Sequence, residues 1–146
     1  MNRAKLNEAE PNGYKAIMAL EAYMNTTPLN KTHRELIKIR ASQINGCAFC
    51  IDMHTKDARK AGETEQRIYA LNAWRDTPFF DEQEQAILAL TEEVTLIANH
   101  VSDATYNKAA SLFDKAYLGY IIMAIITINA WNRVAITSGF EPVLQN

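Results

Sequence analysis

Little in this sequence breaks a helix: 146 residues include only four prolines and five glycines. No run alternates apolar and polar residues long enough to pair as a strand, so a sheet-based architecture is excluded. An excess of charge of one sign is also missing. The 15 Lys and Arg residues are scattered among 17 Asp and Glu, for a net charge of −2. No basic stripe is available to displace counterions from phosphates, which excludes nucleic acid as a partner. The one long apolar run, Leu118 to Ile128, spans 11 residues and contains Gly119, Tyr120 and Thr127. A bilayer needs about 20, so no membrane partner is expected and the run reads as a core or interface helix. Met1 to Asn12 has no apolar stretch of the kind that directs export, and a cytoplasmic location is expected. Cysteine is scarce too: there are two, three positions apart. In a reducing compartment that pair reads as catalytic or metal-binding rather than architectural. A single domain of this length buries about two-thirds of its unfolded surface and needs no staple.

What fills the space between the breakers is helical periodicity, and the expected fold is an all-α compact bundle of six to seven helices. The first helix is expected from Pro11 to about Asn25, ended by Thr26, Thr27 and Pro28. The second starts near Asn30 or Thr32 and stops at Asn45 and Gly46, a pair prone to the left-handed conformation. A third begins around Cys47 and closes at Ala61 and Gly62. A short fourth follows Thr64 to about Trp74. Asp81 with Glu84 forms a capping box for a fifth reaching Ile97. Ser102 or Asp103 caps a sixth running to about Lys115. The last spans about Leu118 to Thr137, stopped by Ser138 and Gly139.

On a helical wheel started at Cys47, the residues Cys50, Ile51, Met53, His54, Ala58 and Ala61 share one half. Asp52, Thr55, Lys56, Arg59 and Lys60 fall opposite. Phe49 lies on the polar side, and Asp57 intrudes on the apolar side. Residues i and i+3 in a first helical turn stand about 5 Å apart at Cα, within reach of a disulfide. The helix N-terminus favours a thiolate, and His54 stacks one turn beyond Cys50. Thiol acidity alone does little. Lowering a pKa from about 8.5 to 6.5 raises the thiolate roughly 25-fold, while about 6- to 10-fold is lost in nucleophilicity. A positioned acid–base group gives about 10² to 10⁴, and His54 is the natural carrier.

Zinc is the rival reading, with Cys47, Cys50 and His54 as three ligands and Glu35, His33, Asp57 or His100 as the fourth. No second C-x-x-C or H-x-x-x-H exists. His33 and His100 otherwise read as surface residues near helix ends. Read from its own wheel, Glu35 is a solvated glutamate pairing with Lys38. Asn129, Trp131, Asn132 and Arg133 read as a helix end that buries Trp131 and exposes Arg133, or as part of a substrate pocket or subunit interface.

The run from Glu35 to His54, with a glutamate twelve residues before C-x-x-C and a histidine four after it, resembles the core motif of the alkylhydroperoxidase AhpD family. That family lies within the carboxymuconolactone decarboxylase superfamily. The similarity continues through Ala58–Gly62, the helix containing Thr91, and Ile128–Arg133. It covers about residues 15–138 of what reads as one domain, 1–146. The resemblance implies an all-α fold that forms trimers or hexamers, and a thiol peroxidase that reduces alkyl hydroperoxides. Cys50 would be oxidised to a sulfenic acid and Cys47 would resolve it. Glu35 would be the general base and His54 its relay partner. No cofactor is implied beyond a redox-active Cys47–Cys50 disulfide, restored by a dihydrolipoyl- or thioredoxin-like donor. One position departs: Phe49 stands where the best-studied members carry a relay histidine. The resemblance assigns first attack to Cys50, whereas the helix dipole alone favours Cys47. The alternatives are a general dithiol–disulfide oxidoreductase with a non-peroxide substrate and a non-catalytic zinc-binding or redox-sensor module.

Overall fold

The computed structural model describes residues 3–145. They form α1 (Leu6–Ala9), α2 (Pro11–Thr26), α3 (Lys31–Asn45), α4 (Ala48–Lys60), α5 (Glu65–Tyr69), α6 (Glu82–Thr95), α7 (Asp103–Leu112) and α8 (Lys115–Ser138). Two 3₁₀ turns, Leu71–Asp76 and Ile97–Asn99, join these, and no strand forms among the described residues. The local stop and start signals act as read. The Asn30 side chain accepts from the Thr32 and His33 N–H groups. Asp81 and Glu84 close a reciprocal capping box. Ser102 caps α7, and Gly46 (φ 68°) and Gly139 (φ 64°) end α3 and α8 in the left-handed region.

α3 is the organising element, packed against α4, α6 and α8. It is apolar on two stripes. Ile37 and Ala41 join Ile87, Leu90, Ile121, Ile125 and Ile128 in one core cluster. Leu36 and Ile39 join Ala58, Ile68, Leu71, Trp74, Phe80 and Leu88 in another. Burying each such aliphatic side chain contributes about 1.5–3 kcal/mol, so these stripes fix how α4 and α8 lie against α3. At 24 residues, α8 has the length and apolar composition to cross a bilayer. Here it packs against α2, α3 and α6 and serves as a core helix of the bundle.

Four expectations are corrected. An additional turn, α1, forms in the polar N-terminal stretch because tertiary bonds hold it. Lys5 Nζ donates to the Ser138 and Gly139 carbonyls, and the Leu6 N–H donates to Ser138 Oγ. The expected helix from Thr64 to Trp74 breaks after Tyr69 and tightens to 3₁₀ winding, with Ala73 outside helical geometry. That winding puts Leu71 and Trp74, three apart, on one buried face. The sixth helix stops at Leu112 rather than Lys115, and the last starts at Lys115 because Asp114 caps it. Finally, His33 is buried rather than on the surface, its Nδ1 2.8 Å from the Tyr117 hydroxyl. His100 is exposed.

Candidate active site

The site grows from the turn between α3 and α4. The left-handed Gly46 reverses the chain, and the Cys47 N–H bonds back to the Ser42 carbonyl. Cys47 then occupies the N-cap of α4, where its Sγ accepts from the Cys50 N–H at 3.3 Å. Sulfur thus stands where a Ser, Thr, Asp or Asn oxygen usually does. Cys47 and Cys50 are joined by a disulfide, with Cα atoms 5.3 Å apart. Both are buried, against Ala135 of α8 and beside Phe49 and Phe140.

A buried amide network locks this turn onto α8. Asn45 Nδ2 donates to Asn129 Oδ1 at 3.0 Å and to Asn132 Oδ1 at 2.9 Å. Asn132 Nδ2 donates to Ser42 Oγ, and Asn129 Nδ2 to Thr95 Oγ1, both at 3.0 Å. Such a network is worth having only when its members are satisfied, and fully buried Asn132 has bonds at both ends of its amide. Arg133 is exposed and bonds back to Asn129. Trp131 faces the other way, into the cleft described next. The stretch Asn129–Arg133 therefore divides between a structural lock, a cleft wall and an exposed cation.

A cleft of about 370 Å³ opens beside the cysteines. Its apolar wall is Tyr14, Phe49, Trp131, Val134, Ala135 and Phe140; its polar wall is Glu21, Lys38, His54 and Asp57. Cys50 lines it and Met53, 41% exposed, forms a lip. Tyr14 stands edge-on to Trp131 at 5.4 Å, and Phe49 tilts against Phe140 at 5.7 Å. Phe49, on the polar side of its own wheel, is thus covered by the chain that follows α8. Met53 and Ala61, on the apolar half of that wheel, are exposed.

Behind His54 lies Glu35. His54 Nδ1 and Glu35 Oε2 are 3.8 Å apart, each side chain 12% exposed. Neither atom has a hydrogen-bond partner among the described residues. Glu35 is therefore not the solvated glutamate its wheel suggested, and its contact with Lys38 is a loose 4.0 Å. Burial pushes the Glu35 carboxyl above its usual range, with Lys38 pulling the other way. Burial, reinforced by Lys38, pushes the His54 imidazole down to about 4. Lys38 has a closer partner in Glu21, at 3.2 Å; Glu21 also takes Arg34 at 3.3 Å and the Trp131 indole N–H at 3.2 Å. Burial alone would raise Glu21, but these partners outweigh it and hold its carboxyl low.

The structure thus brings together Cys47 and Cys50 as a pair, and His54 with Glu35. The zinc set weighed from the sequence is not assembled: the two sulfurs are bonded to each other, and His33 is engaged by Tyr117. Sequence reading missed Glu21, Lys38, Tyr14 and Phe140 as members of the cleft. For Glu21 a signal existed, since it sits among the inward positions of α2 with Tyr14, Ile17 and Met24. A charge in such a stripe needs a partner.

Residues 11–93 match the carboxymuconolactone decarboxylase family. The uncharacterized protein YdfG of Bacillus subtilis is 48% identical over 138 residues, 94% of each chain. Among solved structures, a protein of unknown function from Agrobacterium tumefaciens, proposed as an antioxidant defence protein AhpD, superposes with a TM-score of 0.93. It is 40% identical, and the alignment covers 99% of this chain and 100% of that one. An uncharacterized peroxidase-related protein from Ralstonia eutropha, described as an alkylhydroperoxidase AhpD core, gives 0.81 at 21% identity. That alignment covers 94% of this chain and 74% of its own; at that identity the likeness concerns the fold.

Proposed function

Because this chain belongs to the carboxymuconolactone decarboxylase family and has an AhpD-like fold, we propose that it is a thiol peroxidase that reduces organic hydroperoxides through Cys50. One observation carries this reading: Cys50 and His54 line a single cleft, with Glu35 directly behind the imidazole. In the reduced protein the Cys50 sulfur attacks the distal oxygen of the hydroperoxide. The O–O bond breaks, the alcohol leaves with a proton delivered through His54, and Cys50 becomes a sulfenic acid. Cys47 then attacks that sulfur, water departs, and the disulfide closes. The sum is dithiol plus hydroperoxide giving disulfide, alcohol and water. A dithiol donor of dihydrolipoyl or thioredoxin type takes up the oxidation in turn.

Two features support Cys50 as the first thiol. It lines the cleft, whereas Cys47 sits behind it, 1% exposed and capping the helix. The dipole at a helix end is worth about 0.3–1 kcal/mol, less than the acid–base contribution of a placed imidazole. The apolar aromatic wall suits the organic group of an alkyl or aryl hydroperoxide. Exposed Leu96, Ile97 and Ile126, at 48%, 57% and 45%, support the further reading that copies of the chain associate, which light scattering would measure. The deciding experiment treats two reduced variants with cumene hydroperoxide. Cys47→Ser should accumulate a sulfenate that dimedone captures, and Cys50→Ser should not. Full peroxide turnover by Cys50→Ser would refute the assignment. Stoichiometric zinc with thiols closed to titration would refute the redox reading itself.

A further inference from the structure

Glu35 and His54 have a neighbour that takes no direct part in the peroxidase reaction. Lys38 lies on α3 one turn beyond Glu35, its side chain only 13% exposed. A buried ammonium ion is expensive unless paired, and its pairing is with Glu21 of α2, at 3.2 Å. Glu21 is itself fastened to Trp131 of α8 and to Arg34. The cation is therefore clamped between α2 and α3 in the polar wall of the cleft, 4.0 Å from Glu35. We propose that Lys38, clamped by Glu21, is a positioning residue of the proton relay: its charge favours Glu35 as a carboxylate and adds to burial in favouring His54 as a neutral imidazole, the form that accepts a proton from Cys50.

This inference rests on the peroxidase reading only for what the relay serves; the electrostatic arrangement stands apart from it. A positive charge 4.0 Å from Glu35 favours its anionic form, and in the same cleft wall as His54 it disfavours a second cation there. The other charges facing the pair divide. From α3, Arg34 also stabilises the Glu35 carboxylate and opposes the imidazolium, and Lys31 acts on Glu35 in the same sense. From α4, Asp57 pulls both groups towards protonation, and from α2 Glu21 does so for His54. Tyr14 of α2 and Trp131 of α8 complete the wall. After burial, Lys38 is the largest influence on each member of the pair. Without Lys38 the desolvated carboxylate–imidazole couple would hold its proton to higher pH, and the acid limit of the relay would rise.

Opposite signs provide the test. In the full-length reduced protein, the His54 imidazole is titrated by NMR, and cumene hydroperoxide consumption is followed against pH. Lys38→Met, close in volume, should raise the His54 midpoint and the acid limb of the rate by about one pH unit. The rate should fall several-fold below that limb and hardly at all well above it. Lys38→Arg should restore both. Glu21→Gln should move the His54 midpoint the other way, because it removes a carboxylate that favours the imidazolium; a merely structural role for Lys38 would leave the midpoint unmoved in Lys38→Met. An unmoved His54 midpoint in Lys38→Met overturns the proposal. If that variant does not fold, Lys38→Gln carries the same expectation and decides. Should His54 move as stated while no variant consumes hydroperoxide, the peroxidase reading fails and the role of Lys38 stands. Turnover with an unmoved limb has the reverse meaning.

Discussion

Two groups of buried carboxylates in this molecule are treated in opposite ways. Around α5 and α6 every oxygen is matched. Glu84, 7% exposed, accepts from Arg67 Nη2 at 2.7 Å, from Arg67 Nη1 at 3.1 Å and from the Asp81 N–H at 2.9 Å. Glu92 accepts from Arg40 Nε and Trp74 Nε1, both at 2.9 Å, and pairs with Arg75. Beside the cysteines, Glu35 and His54 instead face each other across 3.8 Å with Oε2 and Nδ1 unbonded. Leaving buried polar atoms unpaired costs about 1–3 kcal/mol each, a cost the matched cluster does not carry. The matched cluster holds the fold; on the proposed reading, the unmatched pair serves the chemistry.

The sharpest way to break that contrast is to unmatch the matched side. Arg67→Met strips Glu84 of its cation and should cost about 3–5 kcal/mol, read as a lower midpoint in urea, while turnover per folded molecule stays unchanged. Glu35→Gln does the converse. Its stability should remain within about 1 kcal/mol of the parent, because no strong bond is lost. Its hydroperoxide rate should fall about 10²-fold, the lower range for a positioned base. A Glu35→Gln protein that loses as much stability as Arg67→Met would show that the pair is structural.

How far each group was legible follows from how local its interactions are. The Asp81–Glu84 capping box and the Asn30 and Ser102 caps lie within three residues of what they bond, so the sequence displays both partners together. Cys47, Cys50 and His54 share one helix start, and their alignment follows from helical geometry alone. The burial of His33 depends on Tyr117, 84 positions away, and no periodicity in its own helix predicts that. Glu35 looked solvated because a wheel knows only its own helix; α4 covers it. Phe49 misled for the same reason, since Phe140 comes from the far end of the chain. The cleft is assembled from α2, α3, α4, α8 and the segment after α8, so its members Glu21 and Lys38 emerge only once those elements are packed. The resemblance to AhpD-like proteins supplied the pairing of Glu35 with His54 that the wheel could not.

The smallest effect, and the finest test of the contrast, is in the pH dependence of stability. His54 titrates near 6.5 in an unfolded chain and is held down to about 4 in the fold. Between those values the unfolded chain binds more protons, so the stability contributed by the neutral imidazole is complete above about 6.5 and is lost as pH falls towards 4. Glu35, raised by burial, works against this, because the folded protein keeps its proton above pH 4.5 and the unfolded chain does not. The net loss between about pH 6.5 and 4.5 should therefore be smaller than the His54 shift alone would give, and His54→Gln should flatten or reverse it in urea melts. Glu92 belongs to a different window. Burial would raise its carboxyl, but bonds from Arg75, Trp74 and Arg40 outweigh that and hold it low. Its contribution is complete above the unfolded value and is lost only below about pH 4.5. The deficit of Glu92→Gln should accordingly stay constant from about pH 7 to 5 and shrink only below that. If both variants altered the same pH window, the matched and unmatched groups would not be electrostatically distinct, and the separation of scaffold from relay would fail.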